Sequence, residues 1–158
     1  MTNHSKETFL PLMRELAQTF QAFEQFSDAH VREMGLTPPQ FDVVATLGNT
    51  EGMTARELSE KTLITKGTLT GVIDRLIDKG LVSRTTPPGD RRCVTIRLTA
   101  EGDALFQRVF PAHMTHMQAA FACFTATELG EIRNELRRLG DAFRSANLDY
   151  MENSERAD

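Results

Sequence analysis

The 158-residue chain has no tryptophan, a single tyrosine and two cysteines. Cys93 and Cys123 cannot staple a disulfide scaffold, and so sparse a usage suits a reducing compartment. No apolar run nears the roughly 18 residues of a membrane span, which excludes an integral membrane protein. Residues 1–6 are polar and lack the apolar centre of an export signal, so a cytoplasmic location is expected. The local signatures of common enzymes are also missing: there is no G-x-S-x-G, P-loop, H-E-x-x-H or C-x-x-C string. No catalytic residue, metal site or cofactor is therefore assigned. Repeats, low-complexity tracts and Pro/Gly/Ser linkers are absent as well, so one domain spanning 1–158 is expected. With 40% apolar and 25% charged residues, the chain is neither disordered nor fibrous.

What is present is unevenly spread. The total is 18 Lys+Arg against 22 Asp+Glu, a net charge of -4. Within 62–97, however, Lys66, Arg75, Lys79, Arg84, Arg91, Arg92 and Arg97 face only Asp74, Asp78 and Asp90. That segment has an excess of four positive charges, and the rest an excess of eight negative ones. A basic segment inside an acidic chain is the charge footprint of a DNA-contacting module.

Hydrophobic periodicity and capping signals organise the chain. Phe9, Met13, Leu16, Phe20 and Phe23 recur at helical spacing within a helix predicted over 7–34, which Gly35 can end. Thr37 with Pro38 and Gln40, Thr54 with Glu57, and Thr125 with Glu128 are capping boxes, in which the N-cap hydroxyl and the third-position side chain each satisfy one orphan amide. Thr65, with Thr68 three residues on, is a further N-cap. These predict helices over 38–48, 55–61 and 66–79. Strands are predicted over 81–86 and 93–98, the second from the alternation of Val94, Ile96 and Leu98 with Thr95 and Arg97. Helices over 100–124 and 126–146 complete the chain. Pro111 is expected to kink the first of these without ending it, and the polar tail after Asn147 is expected to fray.

The short helix 55–61, a tight turn and the longer helix 66–79 have helix-turn-helix spacing, whose second helix enters a DNA major groove. Leu69, Val72, Ile73, Leu76 and Ile77 form its buried stripe. Outward near its start remain Thr65, Lys66, Gly67, Thr68, Thr70 and Gly71, small, polar or basic side chains that allow close approach to base edges and phosphates. Pro87-Pro88-Gly89-Asp90 turns between the two strands and puts Arg91 and Arg92 at a hairpin tip, a cationic wing fit for a minor groove. Asp90 reads as an internal partner orienting one of these arginines. Arg75 completes the candidate DNA-contacting set.

The chain resembles the multiple-antibiotic-resistance regulator (MarR) family of transcription factors over about 7–146. The matching residues are Leu36-Thr37-Pro38-Pro39-Gln40-Phe41, Arg75-Leu76 with Lys79-Gly80-Leu81-Val82, and Asp90-Arg91-Arg92 with Ile96-Arg97-Leu98-Thr99-Ala100-Glu101-Gly102. It departs from the family in carrying Gly71 where many members have a basic residue. The resemblance implies a mainly α fold: a winged helix-turn-helix over about 37–99, with long dimerisation helices at 7–34 and 100–146. It implies a homodimeric repressor that binds a pseudo-palindromic operator in double-stranded DNA. The stripes Leu105, Val109, Met114, Met117 and Phe121, and Leu129, Ile132, Leu136, Leu139 and Phe143, support dimerisation independently, because a module of about 45 residues is too small to cover them.

Two regulatory chemistries remain open. A small-molecule effector, of organic and anionic or phenolic type, is expected in a cleft walled by Phe23, Phe26, His30 and Met34. His113 and His116, at i and i+3, could instead share a metal with Glu24, His30 or Asp42, although a histidine pair on an exposed helix is ordinarily just solvated. Zinc-sensing relatives have Glu and His where this chain has Phe41 and Asp42. Peroxide-sensing members use a cysteine in the first helix and urate-responsive ones a tryptophan; neither is present. Cys93 and Cys123 are expected to be packing residues, the latter on an apolar helical face.

Overall fold

The helix starts are built as their capping sequences require. Thr37 N–H donates to Gln40 Oε1 at 3.1 Å while Gln40 N–H donates to Thr37 Oγ1 at 3.4 Å. Thr54 and Glu57 make the same reciprocal pair at 2.8 and 3.2 Å, and Thr125 and Glu128 at 2.7 and 3.3 Å. The hydrogen bonds from the Thr54 and Thr125 amides hold the Glu57 and Glu128 carboxyls below their ordinary pKa. These boxes open three of the six helices in a computed structural model that describes residues 4–86, 89 and 94–155.

The chain divides into two units, 1–117 and 118–158. The first runs α1 (His4–Glu33), α2 (Pro38–Leu47), β1 (Met53–Thr54), α3 (Ala55–Lys61), α4 (Lys66–Asp78), β2 (Val82–Thr85), β3 (Thr95–Leu98) and most of α5 (Ala100–Phe121). The second holds the end of α5 and all of α6 (Ala126–Glu155). The sheet is antiparallel in the order β1-β3-β2, with Met53 opposite Ile96 and Val82 opposite Leu98. This is the mainly α, winged architecture expected from the sequence.

One apolar core holds the winged region together. Val43, Val44 and Leu47 of α2, Leu58 of α3, Leu69, Val72, Ile73 and Leu76 of α4, the strand residues Met53, Val82, Ile96 and Leu98, and Phe106 of α5 are all buried in it. Burial stabilises by about 1.5–3 kcal/mol for each such large side chain. A second, smaller cluster of Val31, Leu36 and Val109, flanked by Met34, Phe41 and Leu105, ties the end of α1 to α2 and α5.

The T-x-x-G segment closes the base of the hairpin. Thr99 Oγ1 donates to the Gly80 carbonyl at 2.6 Å and accepts from Gly102 N–H at 3.1 Å, while Thr99 N–H donates to the Leu81 carbonyl at 3.1 Å. Gly80 takes φ +71°, and any Cβ at Gly102 would fall onto the Leu81 carbonyl oxygen. Only glycine permits that approach of α5 to the start of the wing.

Several boundaries differ from the sequence reading. Strand β1 is new: two residues show no alternation, and the pairing with β3 creates it. α5 ends at Phe121, three residues early, because Phe124 N–H turns back to the Phe121 carbonyl at 3.1 Å and Thr125 then starts α6. Cys123 therefore lies in that turn, exposed, rather than on a packed helical face. α6 continues to Glu155 instead of fraying after Asn147. No glycine or proline follows Gly140, so each added residue propagates the helix. Thr65 precedes α4 but makes no side-chain cap; its hydroxyl donates to Thr68 Oγ1 at 3.2 Å instead. Thr68 is too short to return the bond that Glu or Gln makes in a box. No helix among the described residues is long and apolar enough to cross a membrane.

Candidate nucleic-acid interface

The turn between α3 and α4 and the first half of α4 present the predicted surface. Thr62 is buried and anchors the turn, both its N–H and its hydroxyl donating to the Leu58 carbonyl, at 2.8 and 2.7 Å. Leu69, Val72, Ile73 and Leu76 point into the core, which turns Thr65, Lys66, Gly67, Thr68, Thr70 and Arg75 outward, all exposed. A Cβ at Gly67 or Gly71 would meet open space, so nothing inside the chain demands glycine at either place. The structure thus brings these sequence-predicted residues together on one helix face. Asp90, Arg91 and Arg92 lie outside the described residues, as does Cys93.

Three contacts that sequence reasoning did not find orient this surface. Arg84 on β2 donates to Asp74 on α4 at 2.7 Å. Both side chains are about half exposed, so the pair contributes little stability, but it ties β2 to α4. It also reassigns two of the charges counted in the basic segment to one another. On the other side, α2 reaches both flanks of α4: Lys79 Nζ, at its C-terminal cap, donates to Gln40 Oε1 at 3.3 Å, and Leu63 N–H, in the turn before it, donates to Asp42 Oδ2 at 3.2 Å. Sequence spacing carries no signal for bonds 39 and 21 residues apart.

A second candidate site lies where α1, α2 and α5 meet. His113 is buried at 4% exposure, which corrects the expectation of a solvated histidine pair. α1 packs across α5 and covers the ring. His30 and His113 face each other through their Nδ1 atoms at 3.1 Å, and Ser27 Oγ meets His113 Nε2 at 3.3 Å. His116 Nε2–H donates to the Phe26 carbonyl at 3.1 Å. Ring stacking completes the cluster: Phe26 lies 4.0 Å and His30 4.2 Å from His116, and Phe41 sets its edge on His113 at 4.6 Å.

Protonation is constrained in this cluster. Only one of the two facing Nδ1 atoms can carry the hydrogen of the bond they share. Burial, with the positive charge that His30 and His116 would add, pushes the His113 pKa below its ordinary value. Among the described residues no group of three or more His, Cys, Asp or Glu side chains could hold a metal ion.

Of the four residues expected to wall an effector cleft, Phe26 and His30 belong to this stack and Met34 packs beside it with Phe41 and Leu105. Phe23 stands apart, half exposed and stacked on Phe20 at 6.4 Å. Phe41 and Ser27 were missed as partners of His113. Phe41 was legible only as a family match, and a lone serine on a long helix gives no signal.

The MarR family model matches residues 36–94, the stretch from the start of α2 to the foot of β3. The HTH-type transcriptional regulator YsmB of Bacillus subtilis is 30% identical over 88% of this chain and 95% of its own length. The homoprotocatechuate degradative operon repressor of Escherichia coli is 30% identical over 81% and 84%. Among solved structures, BpsR of Bordetella bronchiseptica aligns with a TM-score of 0.74 and 26% identity over 85% of this chain and 96% of its own; its DNA binding is described as regulated by 6-hydroxynicotinic acid. The two relatives and BpsR align over most of the chain, and the chain belongs to the MarR family of transcriptional regulators.

Proposed function

We propose that the chain acts as a homodimeric repressor whose two winged modules read the halves of a pseudo-palindromic operator in double-stranded DNA. The observation that carries this reading is the outer face of α4. Thr65, Lys66, Gly67, Thr68 and Thr70 are exposed around a helix start that no side chain caps, leaving its positive dipole end open to phosphate. Glycine at 67 and 71, unneeded by internal packing, leaves room for base edges. Arg75 contacts the duplex farther along the helix, and Asp90, Arg91 and Arg92, which lie between β2 and β3 in the sequence, serve the minor groove. α1, α5 and α6 supply the dimer contacts. The module 37–99 and these helices work as one functional domain, a regulator in the cytoplasm with no catalytic residue and no cofactor.

The effector is an organic, anionic or phenolic compound lodged against Phe26, His30 and Met34, with Phe23 at the outer edge. Support comes from the clustering of aromatic rings and hydrogen-bonding imidazoles there, and from the regulation of the relative BpsR by a small aromatic acid. Such a ligand releases DNA by binding better to a form in which the modules no longer stand about one turn, roughly 34–36 Å, apart.

An anisotropy titration against the DNA upstream of its own gene tests the reading. We expect preference over random duplex of well beyond tenfold at physiological salt. Replacing Arg91 or Arg92 by Ala should flatten the salt dependence by roughly 0.9 in log-log slope per lost phosphate contact. Replacing Lys66 or Thr70 should change discrimination between sequences instead. No preference for any sequence would overturn the assignment.

A further inference from the structure

Three consecutive residues of α2 grip three different places. Gln40, buried at 5% exposure, accepts from Lys79 at the C-terminal cap of α4. Phe41 sets its ring edge on His113. Asp42 accepts the N–H of Leu63, in the turn that launches α4. α4 is therefore held from α2 at both ends, and the residue between those two holds touches the histidine cluster.

The hold at the start of α4 matters because the usual device is missing there. α2, α3 and α6 begin on capping boxes, and α5 on the Thr99 hydroxyl. α4 begins on Thr65, whose hydroxyl is turned to Thr68 and caps no backbone amide. A side-chain cap here would occupy the amides that a helix-turn-helix brings to DNA. The turn before the helix is held instead: Thr62 ties it to α3, and the Asp42 carboxylate holds it from α2, outside the surface that meets the duplex. Leu63 itself is 89% exposed while its neighbour Ile64 packs on the core, so at Leu63 it is the backbone that Asp42 holds. Burial pushes the Asp42 carboxyl above its ordinary pKa, with the Leu63 amide opposing; a carboxylate kept half-buried against that cost is one with a structural task.

We propose that Asp42 is a positioning residue for DNA recognition: by holding the Leu63 amide it sets the entry of α4 into the major groove without touching DNA itself. The proposal rests on α4 being the recognition helix. It makes α2 the bearing between the histidine cluster and the DNA surface, because a shift of Phe41 against His113 moves the neighbouring carboxylate with it.

The test uses full-length protein and two labelled duplexes: one selected by the wild-type chain from a random library, the other of random sequence and equal length. In Asp42→Ala we expect discrimination between the two to fall by about tenfold or more. Affinity for the random duplex and its salt slope should stay within about twofold, since no phosphate contact is removed. Asp42→Asn keeps an acceptor oxygen and should restore discrimination to within about threefold of wild type. The Leu63 amide proton should move upfield in Asp42→Ala and not in Asp42→Asn. Leu63→Pro removes the donor while leaving Asp42 in place, and should lose discrimination as Asp42→Ala does, even if the latter proves too unstable to assay. Wild-type discrimination in either Asp42→Ala or Leu63→Pro, an Asn variant no better than Ala, or equal loss on both duplexes would overturn the proposal. If the wild-type chain enriches no sequence at all, the recognition-helix reading falls, and this proposal with it.

Discussion

The winged region and the upstream part of α1 use apolar side chains in opposite ways. In the former, Leu58, Ile73, Leu76 and Ile96 are sealed at 2% exposure or less, drawn from helices and strands that close on one another. In the latter, Phe9, Met13, Phe20 and Phe23 follow the same helical spacing yet stand about half exposed. α6, taken by itself, is alike, with Ile132, Leu136 and Phe143 uncovered. Periodicity alone thus does not distinguish a core-facing stripe from one awaiting a partner. The winged module closes its interior with Phe106 of α5, whereas upstream α1 and α6 each carry a surface that the proposed second copy would cover.

The comparison is broken most directly from the sealed side. Leu76→Ala should cost about 2–5 kcal/mol in urea unfolding, because the fully enclosed site cannot collapse around the lost methyl groups. A cost below 1 kcal/mol would mean that the module is looser than its burial implies. From the open side, Phe20→Glu should leave helical content intact but give a monomer in sedimentation. Operator affinity should then drop by about a hundredfold, as two linked half-site contacts become independent. An unchanged dimer with unchanged affinity would show that the bare face of α1 has another use.

The smallest effect belongs to the joint between the two regions. His113 titrates at 6.5 when unfolded and lower when folded, so the unfolded chain takes up its proton first. Stability is then complete above 6.5 and declines as pH falls from there through the lowered native value, at no more than about 1.4 kcal/mol per pH unit for one proton. His113→Gln should remove this share of the slope in unfolding titrations between pH 7 and 5. An identical slope in the variant would place the proton uptake elsewhere.

What the sequence disclosed and what it hid follow from the range of the interactions. Capping boxes involve residues three apart, so the starts of α2, α3 and α6 could be read directly. The buried stripe of α4 and the alternation in β3 were equally local. β1 was invisible because two residues carry no period, and the end of α5 because Phe121 and Phe124 keep helical spacing through a turn. His113 was misplaced as solvated because its cover comes from α1, 83 to 86 residues away. Of the candidate interface, the exposed residues were legible, but Asp42 and Arg84, which orient them, act across the fold and were not.

The knot at Thr99 gives the wing a mechanical character. Gly80, Leu81, Thr99 and Gly102 lock the end of α4, the root of the hairpin and the first turn of α5 into one block. The described part of the hairpin is held beyond that base as well: β1 pairs with β3 at Thr95 and Ile96, and Arg84 ties β2 to Asp74. A rotation at the first turn of α5 would therefore carry the strands and α4 along as one lever rather than bend the hairpin at its root.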